Sequence, residues 1–128
     1  MDVAGAGGTS WSQVEMHRMK DPRRAAIAAA FRNWGIPTAE AIRQVRQQAP
    51  ELPVFASGGL RNGIDVAKTV ALGASLAGIA GPFLKAASQS QAAASAMADE
   101  IINEMKIAMF ACGAVNLAAL KNIPLVEF

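Results

Sequence analysis

Two glycine-rich turns, one strand–helix–strand unit apart, constrain this chain more than any other feature. Residues 56–63 read Ala-Ser-Gly-Gly-Leu-Arg-Asn-Gly, and residues 77–82 read Ala-Gly-Ile-Ala-Gly-Pro. Between them Asn62 to Leu72 has the pattern of a helix, closed by Gly73 where a C-terminal cap belongs. The apolar runs Leu52–Ala56 and Ser75–Ala80 carry the signature of strands buried on both faces of a parallel sheet. A crossover connection then places both turns at the same end of that sheet. Backbone N–H groups gathered there suit an anion, as in the phosphate-binding loops after the last two strands of a (β/α)8 barrel.

The alternation extends along the chain. Asp2-Val-Ala reads as half a strand running into Gly-Ala-Gly-Gly-Thr-Ser-Trp at residues 5–11. Asp21-Pro22 marks the start of an Ala-rich helix reaching Phe31. Residues 33–37 form a turn, and Thr38 is placed to cap a helix over 39–49 with the apolar stripe Ala41, Ile42, Val45 and Ala49. After the second turn come a short helix, Pro82 to Ala87, and a long one, Ser88 to about Cys112. The long helix carries the stripe Met97, Ile101, Met105, Ala108 and Cys112. A helical turn at Asn116–Leu120 precedes the tail that ends at Phe128. This order predicts an α/β fold, a partial (β/α)8 TIM barrel made of roughly the last three βα units plus C-terminal helices. A closed barrel takes eight strands and typically about 250 residues. With 128 residues and Met1 beside a buried strand, the chain is expected to be the tail of something longer.

Composition excludes several classes. Hydrophobic residues make up 52% and charged residues 17%, yet no window approaches about 18 uninterrupted apolar residues, so a membrane span is not expected. No signal peptide is visible, and the single cysteine, Cys112, rules out an internal disulfide and fits a reducing cytoplasm. A net charge of +2, with Arg18, Lys20, Arg23 and Arg24 clustered but without interleaved aromatics, argues against nucleic acid.

Gly58, Gly59, Leu60 and Arg61 follow a strand directly. Glycine lets the main chain approach an anion, the following helix offers its positive end, and Arg61 adds a charge-assisted contact. A tight turn with a surface arginine would look the same in isolation; the second turn, Ala80-Gly81-Pro82, favours phosphate. In the first turn, Thr9 and Ser10 offer hydroxyls and Trp11 a flat apolar wall. Ser10 or Ser12 could equally cap a helix, with Glu15 completing a capping box, and Trp11 is more readily explained as core. His17 has no visible partner and reads as surface. Cys112 falls on the apolar stripe and reads as buried and inert. Asp99, Glu100 and Glu104 on the long helix read as solubilising acids rather than metal ligands.

These motifs together resemble the type 2, FMN-dependent isopentenyl diphosphate isomerases. The resemblance rests on residues 2–11, on Asn33-Trp-Gly-Ile-Pro-Thr38, on residues 56–63 and 77–82, and on Ala108-Met-Phe-Ala-Cys-Gly-Ala114 with Asn116. It implies that residues 1–128 form the C-terminal part of an FMN-dependent (β/α)8 barrel domain from a cytoplasmic homo-oligomer of isoprenoid biosynthesis. The implied reaction interconverts isopentenyl and dimethylallyl diphosphates, with reduced FMN, Mg²⁺ and NADPH. Matching positions imply that Thr9 contacts the flavin or its ribityl chain, with Trp11 close to the isoprenoid diphosphate substrate. Gly58, Gly59, Leu60 and Arg61 would hold the FMN phosphate from one loop, and Ala80 with Gly81 from the next. The family's substrate and Mg²⁺ ligands, and its lysine near the flavin, precede the matching segment, so no catalytic or metal residue is assigned and the chain alone is expected to be inactive. Two alternatives are a non-catalytic FMN- or phosphate-binding barrel fragment that needs a partner chain, and another FMN-dependent barrel oxidoreductase.

Overall fold

The computed structural model describes residues 1–126. A parallel sheet of order β1-β2-β3 is formed by Asp2–Ala4, Phe55–Ser57 and Leu76–Ala77, in the register Asp2↔Phe55↔Leu76. A helical hairpin, α1 (Trp11–Arg18) and α2 (Pro22–Ala30), and then α3 (Thr38–Gln48) separate β1 from β2; α4 (Gly63–Ala71) separates β2 from β3. Beyond the sheet follow α5 (Gly81–Ala87), α6 (Gln91–Ala111) and α7 (Leu117–Leu120).

Local signals place most of these boundaries. Asp21 accepts the Arg23 N–H at 2.9 Å with Pro22 just inside α2. Asn62 accepts the Asp65 N–H at 2.8 Å to start α4, and Gly73 at φ +103° leaves it. Ser90 and Asn116 cap α6 and α7 in the same way.

The core lies on one face of the sheet. Val3, Val54 and Ala56 pack against Ile42 of α3 and Ala74, with Ala41, Val45 and Leu72 at the margin. A second cluster, Ala67, Val70, Ala114 and Leu120, joins α4 to α7 and to Met105 and Ala108 of α6. The other face is bare. Phe55 and Leu76, aligned across the register, are 47% and 54% exposed. The expectation that these strands are buried on both faces is thus corrected: α3 covers one side, and no element among the described residues covers the other. A parallel sheet is ordinarily covered on both sides, so three bare-faced strands are the geometry of a wall cut from a closed barrel.

Three further expectations change. Thr38 does not cap α3; its hydroxyl faces the turn after β2, as described below. Ser10, not Ser12, occupies the N-cap of α1 without a side-chain capping bond, and Glu15 pairs with Arg18 at 3.7 Å instead of closing a capping box. Cys112 is exposed, because α6 ends at Ala111 and Gly113, at φ +75°, turns the chain so that Ala114 enters the core in its place.

Ile42 has no exposed surface. Replacing it by Ala is expected to lower the unfolding free energy by about 2–5 kcal/mol, read from urea denaturation monitored by circular dichroism.

Candidate functional site

The carboxyl ends of the three strands open into one cleft of about 670 Å³, within the range of small-molecule sites. Its walls are the turn after β1 (Gly5, Gly7, Gly8, Thr9), the turn after β2 (Gly58 to Arg61) and the turn after β3 (Gly78 to Pro82). Thr9, Trp11, Gly58, Gly59, Leu60, Arg61, Ala80 and Gly81 all border this single space, whereas Ser10 does not. Trp11 is 75% exposed and stands at the rim, so the expectation of a core tryptophan is corrected: α1 buries none of its residues. His17 is exposed and does not line the cleft.

The first two turns interlock main chain against main chain. A Cβ on Gly59 would lie 2.5 Å from the Gly7 carbonyl, and one on Gly8 would lie 2.9 Å from Gly59 N. A Cβ on Gly58 would overlap the Gly5 carbonyl oxygen. Gly58 and Gly59 also hold φ at +99° and +86°, where a side chain is strained. Thr38 locks this contact. Its hydroxyl donates to Gly58 O at 2.6 Å, with Ser57 O as a longer acceptor at 3.2 Å. Beside it, Ile36–Thr38 runs along the extension of β1, with Ala6 N–H bonded to Ile36 O at 2.8 Å.

What the cleft presents is polar main chain and positive charge. The N–H groups of Gly59, Leu60 and Ala80 carry no hydrogen bond within the described residues, and neither does the Thr9 hydroxyl. The Leu60 side chain is buried, so this residue offers only its backbone. Arg61 is exposed at the wall and forms no ion pair among the described residues. No carboxylate among the described residues lines the space. Anion binding by the end of α4, however, is corrected. Two amides of that terminus are already taken, since Gly63 N–H donates to Glu104 Oε2 at 2.6 Å and Asp65 N–H to Asn62 Oδ1 at 2.8 Å. Glu104, expected to be a solvent-facing acid, is half-buried for this reason. Neither Thr38 nor Glu104 is identifiable from local sequence, because each acts on a residue about 20 or more positions away.

Residues 33–126 match the FMN-dependent dehydrogenase family. The chain belongs to that family. Among curated relatives, the isopentenyl-diphosphate delta-isomerase of Nostoc sp. is 49% identical over 122 residues, 95% of this chain and 35% of the relative. The chain therefore spans about a third of the length of the curated relatives it matches. Among solved structures, a lactate oxidase of Pediococcus acidilactici superposes with a TM-score of 0.70 at 21% identity, over 83% of this chain and 34% of that one. A flavocytochrome b2 variant with benzoylformate follows at a TM-score of 0.65 and 27% identity, over 71% of this chain and 25% of that one. For a member of the FMN-dependent dehydrogenase family, the α/β wall described above is part of a (β/α)8 barrel.

The two glycines at the turns differ sharply in what they tolerate. Gly59→Ala forces a Cβ into the Gly7 backbone and is expected to cost at least about 1–3 kcal/mol. At Gly81 a Cβ meets nothing within 4 Å, so Gly81→Ala is expected to shift stability by less than about 0.5 kcal/mol. Thermal denaturation of the two variants side by side checks both.

Proposed function

We propose that the cleft holds the phosphate and ribityl side of FMN, and that the chain carries this part of an isopentenyl-diphosphate delta-isomerase. One observation carries the reading: both glycine turns and Arg61 converge on one space that no acid among the described residues lines. The fit is stereochemical as well as electrostatic. Among the described residues the amides of Gly59, Leu60 and Ala80 are unspent, the Gly81 wall is open, and the Arg61 guanidinium beside them has no ion-pair partner. Arg61 and these amides would take the phosphate oxygens, each a charge-assisted hydrogen bond. The Thr9 hydroxyl would orient the ribityl chain or flavin edge, and Trp11 would form an apolar rim toward the substrate.

Reduced FMN, when bound, supplies the proton transfer that relocates the double bond between isopentenyl and dimethylallyl diphosphates. The residues of this chain bind, orient and shield it. Mg²⁺ and an NADPH-derived reducing supply belong to the same proposed reaction, as do isoprenoid biosynthesis, a cytoplasmic setting and a homo-oligomer. Asp99 and Glu100 are exposed on α6 and do not line the cleft. The isomerase reading is favoured over an FMN-dependent oxidoreductase because the isomerase relative is 49% identical and the oxidoreductase structures 21% and 27%. The bare sheet face supports a second element of the reading: the 128 residues alone bind the cofactor but need further barrel strands, in the same or another chain, to turn over substrate. None of the described helices is long and apolar enough to cross a membrane.

Titration with FMN and with riboflavin, followed by flavin fluorescence, tests the phosphate assignment. FMN is expected to bind more tightly than riboflavin. Arg61→Ala is expected to weaken FMN about tenfold or more while leaving riboflavin nearly unchanged. Equal affinity for the two flavins, or an Arg61→Ala variant that matches the parent, contradicts the assignment. Dimethylallyl diphosphate formed by the chain alone with reduced FMN and Mg²⁺ contradicts the requirement for further strands.

A further inference from the structure

The turn that carries Gly58 to Arg61 runs straight into α4. Its first half, Gly58 and Gly59, is held from the sheet side by Gly7 and Thr38, and its second half, beyond Arg61, is held where α4 begins against α6. Gly63, the first residue of α4, is buried with its α-carbon against the α6 backbone; a Cβ there would overlap Ile101 O and lie 2.5 Å from Met105 N. Glu104 of α6 reaches the same residue, its Oε2 accepting the Gly63 N–H at 2.6 Å across 41 positions of sequence. The next amides are tied locally: Asp65 N–H to Asn62 Oδ1 at 2.8 Å, and Arg61 N–H to Asp65 Oδ2 at 2.9 Å.

We propose that Glu104 is a positioning residue for the phosphate subsite. It ties the start of α4 to α6, and the Arg61–Asp65 contact passes that placement on to the main chain of Arg61 at the cleft wall. The inference rests on the reading of the cleft as an FMN site.

Two nearly isosteric variants separate the acceptor from the side-chain stem. Glu104→Gln keeps an oxygen for the Gly63 N–H, and Glu104→Met keeps the packing alone. FMN and riboflavin titrations of the 128-residue chain should show the Gln variant binding FMN at least as well as the parent. The Met variant should lose about tenfold for FMN and little for riboflavin. Parent-like FMN affinity in the Met variant overturns the inference. So does an equal loss for both flavins, which marks a general structural role, and so does a Gln variant as weak as the Met variant. If the Met variant does not fold, amide hydrogen exchange at Gly63 in the parent decides: protection is expected, and exchange at the rate of an open loop overturns the inference. A parent that binds no FMN overturns the cleft assignment itself, a result distinct from a parent that binds FMN with variants that match it.

Discussion

The carboxyl end of this sheet depends on two stretches of main chain meeting with no side chain between them. Gly7 and Gly8 lie on Gly58 and Gly59 at distances that a methyl group would violate. The Thr38 hydroxyl then draws the Gly58 carbonyl toward α3. Without that approach the turns would stand apart and their amides would face solvent separately. With it, three loops that are distant in sequence form one wall. Gly7, Gly58 and Gly59, the three residues of this contact at positive φ, are tolerated there because all are glycine.

Away from the cleft, the architecture is asymmetric. The two hydrophobic core clusters lie behind the sheet, one around Ile42 and one between α4, α6 and α7. The front face carries Phe55 and Leu76 without cover. The two core clusters nevertheless serve the site. The first holds β1 and β2 at the spacing that brings their turns together. The second holds α6 beside α4, so that Glu104 reaches Gly63.

Much of this organisation is readable from local sequence, and the part that is not has a common cause. Asp21-Pro22, Asn62 and Gly73 are signals that act within one helical turn, and they mark the ends of α2 and α4 where the structure has them. The positions of all three glycine turns follow from the short apolar runs before them. Other properties depend on distant partners. Leu52–Ala56 reads as a strand buried on both sides, but whether Phe55 is covered depends on elements elsewhere in the barrel, not on its own neighbours. Thr38 has the residue type and position of a cap, yet a carbonyl 20 positions away takes its proton. Glu104 sits at an ordinary helical surface position, and only the crossing of α4 over α6 at Gly63 turns it inward. Cys112 continues the apolar stripe by spacing, but the helix stops one residue before it.

The brevity of the strands has a consequence for how such a half-open sheet behaves in solution. β1 and β3 pair only with β2 among the described residues, and they run for only three and two residues. So short an edge offers another molecule too few consecutive pairings to template ordered growth. The adhesive part of the surface is instead the apolar front face around Phe55 and Leu76, which associates without register or direction. The edge geometry of these strands therefore works against register-templated, fibrillar association.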